Sequence, residues 1–161
     1  MELSLPLREV VDLLTATGIL PPAVTDVRAE GAAVLARVRV DELPGVPGVV
    51  RALGRLAPPA DARIDDRGVA GRTWTLVLGV HHPLVPVDIS GFVTEAVRAQ
   101  LAKAPAAVAR ARSEGGRTLV EVDLDALPGL LPLPPGARVS VEDVALGETV
   151  RLRASLSAVH H

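Results

Sequence analysis

The 161-residue chain contains no cysteine. Disulfide bonds, thiolate metal ligands and a cysteine nucleophile are therefore excluded, and a small secreted fold held by disulfides cannot form. Aromatic residues are almost as scarce, at 1% of the chain, and are represented by Trp74 and Phe92. Single-stranded nucleic acids bind to stacked aromatic side chains, which this chain cannot supply. The composition instead predicts a core of valine, leucine and alanine.

Neither sign of charge dominates the sequence. Lysine and arginine number 17 against 19 aspartate and glutamate residues, which gives a formal net charge of -2. We therefore expect no nucleic-acid partner. Apolar residues make up 48% of the chain, yet no uninterrupted apolar run approaches the roughly 18 residues of a transmembrane helix. We expect no transmembrane segment, and we expect the apolar surplus to lie in a core, a cavity or a subunit interface.

The N-terminal segment MELSLPLREVVDLL has Glu2 and no basic residues ahead of its apolar ones. A secretory signal peptide has the opposite arrangement. We therefore expect a cytoplasmic protein.

One segment of the chain recurs. VRVDELPG at residues 38–45 returns as VDLDALPG at residues 122–129, and an ungapped alignment of 21–45 with 105–129 is identical at 12 of 25 positions. Chance would match about one position in ten at this composition, so duplication is the better explanation. We interpret residues 1–161 as a single domain made of two repeats, 5–83 and 89–159, related by a pseudo-twofold axis.

Each repeat has the same predicted order of elements. Apolar residues at helical spacing come first: Leu7, Val10, Val11, Leu13 and Leu14 in one copy, and Val93, Val97 and Leu101 in the other. Two strands joined by a glycine turn follow, then LPG and a second hairpin. Between LPG and the second hairpin the first copy has room for a short helix, whereas the second copy runs straight through LLPLPP. The sequence thus predicts an α+β fold, an α-β-β-(short helix)-β-β module written twice. It would contain an antiparallel sheet of about eight strands and two main helices.

Motifs for catalysis and cofactor binding are missing. The chain has no GxSxG, GxGxxG or GxxxxGK[ST] motif. SGF at residues 90–92 is typical of a helix N-terminus with Ser90 as its cap. We therefore predict no catalytic residue and no cofactor.

His81 and His82 are the residues to test for metal binding. Adjacent side chains on a strand point to opposite faces, so the pair cannot chelate one ion unless the strand ends there. Asp88 and the terminal His160 and His161 offer further ligands. A polar strand end is the commoner structure for such a pair, and we predict no metal site.

Charged residues of opposite sign occupy equivalent positions in the two repeats. Arg37 and Arg39 align with Glu121 and Asp123. A solvated sheet face accounts for such a pattern. Alternatively, the charges form an interface between the two halves or between copies of a homo-oligomer.

Apolar side chains of both repeats form either a plain core or the walls of an aliphatic slot between sheet and helices. Such a slot suits an acyl chain or an isoprenoid, because binding there depends on apolar area. The residues predicted to line it are Val38, Val40, Trp74, Leu76, Leu78, Phe92, Val97, Val122, Val150 and Leu152.

The segment LPLPPGARVSVEDVALGETVRLRAS, an apolar Pro-Gly entry followed by a hairpin, resembles the closing hairpin of tubular lipid-binding (TULIP-like) domains, including LmeA-type proteins. VTDVRAEGAAVLARVRVDELP has a similar pattern. The resemblance implies an elongated twisted sheet wrapped on a long helix, which binds lipid without catalysis. This chain differs in having two short predicted helices and no secretion signal.

The function predicted from these observations is non-catalytic binding of a hydrophobic small molecule or lipid. The alternative is a structural or assembly module that mediates homo-oligomerisation or binds a protein partner. An enzyme with an unrecognised site is a third interpretation.

Overall fold

The computed structural model describes residues 1–17, 20–82, 88–103, 108–130 and 133–158. These residues form three α-helices and nine strands in two antiparallel sheets, which confirms the predicted α+β class. The helices are α1 (Leu7–Thr17), α2 (Gly48–Leu56) and α3 (Ser90–Leu101). The strands are β1 (Glu2–Pro6), β2 (Val24–Glu30), β3 (Ala33–Val38), β4 (Ala60–Ala70), β5 (Thr73–His81), β6 (Ala109–Glu114), β7 (Arg117–Asp123), β8 (Ala137–Ala145) and β9 (Thr149–Ala158).

The predicted hairpins form where glycine follows an alternating strand. Gly115 and Gly116 both have positive φ, at 57° and 76°. A two-residue turn with positive φ at both positions matches the right-handed twist of antiparallel strands, and glycine reaches that backbone conformation without steric cost. The β6–β7 register is fixed by this turn, with Glu114 opposite Arg117.

The strands divide into two sheets rather than the single sheet of about eight strands predicted. One has six strands in the order β2-β3-β4-β5-β7-β6, and the other has three in the order β1-β9-β8. Strand β1 was not predicted, because its partner β9 lies at the other end of the chain, with Leu3 opposite Leu152. The short helix predicted after LPG is a full helix in the first repeat, α2. In the second repeat LPG itself lies in a 3₁₀ turn at Leu127–Leu130, and the next element among the described residues is β8.

The two repeats share an order of elements but differ in how their hairpins pair. In the first repeat β3 pairs with β4, so both hairpins lie in the six-stranded sheet. In the second, β7 pairs with β5 instead, and the β8–β9 hairpin joins the other sheet. The duplication therefore stays a prediction based on the sequence alignment.

The inner face of the six-stranded sheet carries two packed clusters. The larger lies between β3, β4 and the helices α2 and α3, and includes Val38, Val50 and Val93. The smaller lies where the two sheets meet, around Leu124, which is fully buried, and Val141. Helix α3 crosses β6, β7 and β5, where the buried hydroxyls of its Thr94 and of Thr118 are 2.7 Å apart.

Polar side chains join the two sheets beside the smaller cluster. One carboxylate oxygen of Asp66 on β4 accepts hydrogen bonds from the Trp74 indole N–H at 2.9 Å and the Gly68 N–H at 2.6 Å. The other accepts one from the Leu146 N–H, between β8 and β9, at 2.7 Å. Arg72 donates to the Val141 carbonyl on β8 at 2.7 Å. We call these contacts the sheet joint.

None of the helices in the described ranges is both long and apolar enough to cross a membrane.

Candidate functional site: a groove on the outer face of the sheet

Seven of the ten side chains predicted to line an aliphatic slot lie in or against the two packed clusters. Val38 and Val40 are buried in the larger one, with Leu78, Phe92 and Val97 packed against it. Trp74 and Leu152 pack against the smaller cluster, Val122 is buried opposite Trp74, and Leu76 and Val150 are half-buried. Val40 lies just beyond β3, in a 3₁₀ turn at Val40–Glu42, instead of on the predicted strand. All ten lie apart from the three surface grooves described below.

His81 and His82 separate at the end of β5. His81 is exposed on the strand, whereas His82 is 7% exposed and its Nε2 lies 2.7 Å from the carbonyl oxygen of Pro58. Because a carbonyl only accepts, Nε2 must carry the proton and donate, which leaves that nitrogen unavailable to a metal. Among the described residues no group of three or more His, Cys, Asp or Glu is placed to hold a metal ion. His160 and His161 lie outside the described residues.

Ser90 begins helix α3, as predicted, but it is not the capping residue. The N-cap position is Ile89, and the carboxylate of Asp88 accepts the Ser90 backbone N–H at 2.9 Å. Hydrogen bonds from the Ser90 side chain and backbone lower the pKa of Asp88. Asp88 therefore supplies the side-chain acceptor that the sequence pattern assigned to Ser90.

The arginines of the first repeat pair within their own repeat. Arg37 lies 3.9 Å from the carboxylate of Asp26. Arg39 lies 3.1 Å from both Asp41 and Glu42. Strand β3 is separated from β7 by two strands, so neither arginine meets its aligned acidic residue within the chain.

The acidic residues of the second repeat are also satisfied locally. Glu121 accepts hydrogen bonds from Arg112 and, at 3.4 Å, from Arg110. Asp123 accepts the backbone N–H of Asp125 at 2.9 Å. An interface between copies of the chain, which the sequence also suggested, would have to compete with these local pairs.

The Arg112 contact predicts a stability difference that depends on pH. The hydrogen bond from Arg112 and the charge of Arg110 hold the pKa of Glu121 below its usual value. A lowered pKa stabilises the folded state above the unfolded pKa, and this contribution is lost as the pH falls through the folded pKa. Glu121→Gln should thus lower the free energy of unfolding by less than about 1 kcal/mol at neutral pH. The difference from wild type should vanish in strong acid.

Urea unfolding of both proteins across the acid range measures this difference. Glu2→Gln, which changes an exposed carboxylate on β1, is the control and should track the wild type throughout. A Glu121→Gln deficit that persists unchanged below the pKa of an ordinary glutamate would contradict the assignment.

The outer face of the six-stranded sheet carries two rows of side chains that cross three strands. The register places Leu35 opposite Arg63 and Arg63 opposite Gly79 in one row. The next row contains Asp61 opposite His81. The last β5–β7 pair is Leu78 with Thr118, and strand β7 begins one residue earlier, at Arg117. Arg117 therefore lies at the same end of the sheet.

These rows enclose a groove of about 470 Å³ between β3 and the β6–β7 turn, which we call the outer-sheet groove. Its size is within the range of small-molecule sites. Its wall and floor are mainly apolar or glycine, with charged side chains at the rim. The lining residues are Leu35, Asp61, Ala62, Arg63, Gly79, Val80, His81, Gly115, Gly116 and Arg117.

Gly79 keeps the groove open. Its φ is outside the left-handed region, and a Cβ built on its backbone has no heavy atom within 4 Å. Neither backbone conformation nor close packing therefore requires glycine at this position of the strand. A side chain there would project into the groove, between Arg63 on β4 and Arg117 at the start of β7.

The rim of the groove favours an anionic group near Arg117. Arg63 is bound through Nε to both carboxylate oxygens of Asp65, at 3.0 and 3.1 Å, and this contact raises its pKa. Arg117 is exposed and, within the described ranges, forms no ion pair with a carboxylate. Its guanidinium group offers several donors to a carboxylate, sulfonate or phosphate.

Two further grooves are less suited to an apolar ligand. One, of about 430 Å³, lies at the opposite end of β5, and four of its seven lining residues are charged. Among them Arg110 donates to Glu121, and Arg72 donates to Asp125. The other is smaller, at about 190 Å³, and has four charged residues among its five lining residues.

Comparison of the chain with protein-family models, curated protein sequences and solved structures gave no match. The function is therefore inferred from the chemistry of the molecule itself.

Sequence reasoning missed most of the outer-sheet groove. Of its lining residues only His81 was singled out, as a residue to test for metal binding where no metal site was predicted. One signal was present in TWTLVLGVH, where Gly79 interrupts a run of strand-forming residues. A glycine inside a strand often marks a bulge or the close approach of a ligand.

Proposed function

We propose that the protein is a non-catalytic binding protein for a hydrophobic small molecule or lipid that carries an anionic group. The ligand lies in the outer-sheet groove, with its apolar part over Gly79 and its anionic group at Arg117. The observation that carries the proposal is the open position above Gly79, which neither the backbone nor the packing explains.

The shape and chemistry of the groove support this assignment. Leu35 supplies apolar side-chain surface, Gly79 leaves space above the strand, and the glycine turn after β6 leaves one end open. Ala62 and Val80 also line the groove, but their side chains pack in the larger cluster on the other face of the sheet. Burial of a ligand against such surface contributes about 25 cal/mol per Å² of apolar area. A single cation at one end then fixes the orientation of the ligand, as placed polar groups do in apolar sites.

Filling the groove should abolish binding without harming the fold. Gly79→Ile places a β-branched side chain, which suits a strand, into empty space. We expect it to weaken the binding of anilinonaphthalene sulfonate at least tenfold, because the side chain occupies the position of the apolar ring. Urea unfolding should show stability equal to or above that of the wild type, since glycine in a strand interior costs about 0.5–1 kcal/mol.

Thr75→Ile is the matched control. Thr75 lies on the same strand and the same face as Gly79, two pairs further along the β5–β7 ladder than Val77, but outside the groove. It should bind the probe like the wild type. Equal probe affinity in Gly79→Ile and in Thr75→Ile would refute the outer-sheet groove as the site.

A second variant tests the anionic group. Arg117→Gln should weaken anilinonaphthalene sulfonate about tenfold, the order expected for a charged hydrogen bond, and leave the neutral N-phenylnaphthylamine unchanged. Arg138→Gln, an exposed arginine on β8, should affect neither probe. Equal losses with both probes would contradict recognition of charge at Arg117.

The two edges of the six-stranded sheet bear on the alternative, an assembly module. Edge strand β2 contains a bulge between Thr25 and Arg28, with Asp26 at a φ of 50°. Edge strand β6 alternates Arg110, Arg112 and Glu114. Bulges and charges at an edge oppose the addition of another strand. Native mass spectrometry separates the two functions, since a ligand adduct supports binding and an oligomer without an adduct supports assembly.

A further inference from the structure

Helix α2 presents an apolar stripe to solvent. Val49, Leu53 and Leu56 are 75%, 45% and 88% exposed. They are spaced at i, i+4 and i+7, which places them on one side of a helix. Hydrophobic residues at this spacing normally face the core, so their exposure calls for an explanation.

A different side of α2 is fixed to the core, so the stripe cannot turn inward. Val50 is buried in the larger cluster. Gly54 lies so close to the preceding 3₁₀ turn that a Cβ would come within 3.0 Å of the Asp41 backbone nitrogen. Rotation of the helix would open the core at both positions.

Two arginines lie on a side of α2 that is turned away from the stripe. At 100° per residue, Arg51 and Arg55 lie together on one side of the helix, between the buried side and the exposed stripe. The helix Gly48–Leu56 contains no acidic residue. In the part of the chain that the structure describes, neither arginine is ion-paired with a carboxylate.

We propose that α2 docks the protein onto an anionic membrane surface. Val49, Leu53 and Leu56 would enter the boundary between headgroups and acyl chains, and Arg51 and Arg55 would extend to the lipid phosphates. Each arginine near an anionic leaflet adds attraction that salt screens. The helix lies in the plane of the membrane and does not cross it.

Other occupants fit the stripe less well. A second copy of α2 would cover the apolar stripe but would give Arg51 and Arg55 no acidic partner, because the helix contains no acidic residue. Binding to a folded protein partner usually depends on aromatic side chains that fill pockets at the interface, whereas this stripe has only aliphatic side chains. Binding to a fluid anionic bilayer requires apolar area and positive charge on the protein but no shape complementarity. Helix α2 offers both.

Docking through α2 also brings the outer-sheet groove near the bilayer. Asp61 at the groove comes five positions after Leu56, so their Cα atoms are at most about 18 Å apart. This consequence rests on the proposed function, whereas the docking itself depends on α2 alone. Gly79→Ile, which should lose the small ligand, should therefore bind vesicles like the wild type.

Co-sedimentation with lipid vesicles tests the proposal. We expect the full chain to bind vesicles of equal parts phosphatidylcholine and phosphatidylglycerol, and to bind phosphatidylcholine alone at least tenfold more weakly. Val49→Ser combined with Leu56→Ser should reduce binding at least tenfold, since two side chains lose most of their apolar area. Arg51→Gln combined with Arg55→Gln should reduce binding about tenfold, and added salt should have a similar effect.

Matched controls use exposed residues elsewhere. Leu156→Ser on β9, which is 65% exposed in the wild type, and Arg138→Gln should leave vesicle binding unchanged. Circular dichroism and urea unfolding establish that each variant folds. The proposal is overturned if the wild type fails to bind anionic vesicles or if the α2 variants bind like the controls. It is also overturned if light scattering shows that the Val49→Ser and Leu56→Ser pair dissociates an oligomer.

Discussion

Asp66→Ala is expected to lower the free energy of unfolding by about 3 kcal/mol, because three donors lose their acceptor at once. The Trp74 indole, the Gly68 N–H and the Leu146 N–H all donate to this one carboxylate. The hydrogen bond from Leu146 links the two sheets, and an alanine side chain can accept none of the three hydrogen bonds. Asp66→Asn should cost roughly half as much. Its side-chain oxygen can still accept the hydrogen bonds from Trp74 and Gly68, whereas its NH₂ group cannot accept one from the Leu146 N–H.

Urea unfolding, monitored by tryptophan fluorescence, measures this loss of stability. Trp74 is the single tryptophan of the chain and a direct partner of Asp66. Its emission in the folded Asp66→Ala variant should shift, because the indole N–H loses its carboxylate. The matched control is Asp65→Ala on the same strand, which breaks only the exposed contact with Arg63 and should cost less than about 1 kcal/mol. Equal costs for the two variants would show that the sheet joint adds no stability.

Leu124→Ala should destabilise the protein by about 3 kcal/mol, a factor of about 150 in the unfolding equilibrium. Leu124 is fully buried in the smaller cluster, packed with Val141 and Val144 of the other sheet. Removal of its branched end leaves a cavity that the backbone cannot close, because the Leu124 N–H is bound to the Arg72 carbonyl at 3.0 Å. Both sheets lose contact area in consequence.

Chemical denaturation of Leu124→Ala beside Leu156→Ala provides the comparison. Leu156 is 65% exposed on β9, so its truncation should cost less than about 0.5 kcal/mol. The Asp66 and Leu124 substitutions both weaken the contact between the two sheets. A double variant should therefore lose less stability than the sum of the single variants, since each change weakens the contact on which the other depends. Strict additivity would mean that the sheets are held together elsewhere.

The functional features lie away from this joint. The outer-sheet groove is on the opposite face of the six-stranded sheet from the packed clusters. The stripe of α2 faces solvent beyond the larger cluster. Variants such as Gly79→Ile and the paired α2 substitutions can therefore change binding while stability remains that of the wild type. This separation makes loss of function distinguishable from loss of fold.

Local sequence patterns predicted the class and most elements of the fold. Alternation in LARVRV and TLVEV, with glycine between strands, identified the hairpins, because a strand exposes its side chains with a period of two. The run from Leu7 to Leu14 and the run from Val93 to Leu101 identified α1 and α3. Such signals depend on neighbouring residues only, so they can be read before the chain is folded.

The candidate sites were beyond those patterns because each combines residues that are distant in sequence. Leu35, Gly79 and Arg117 become neighbours only when β3, β4, β5 and β7 take up their register. The stripe on α2 has the spacing of an ordinary buried face, and only packing shows that Val50 is buried while Val49 and Leu56 are exposed. Spacing gives a helix an apolar side without stating which way that side faces.

The sequence by itself determined the hairpins, the two flanking helices, the aliphatic core and the α+β class, since these follow from periodicity and turn chemistry. Only the tertiary structure decided that β7 joins β5, that β1 closes on β9, and that Asp66 links the sheets. Those pairings are made across long stretches of chain. Each depends on which surfaces remain to be covered once the local elements have formed, and no local pattern encodes that.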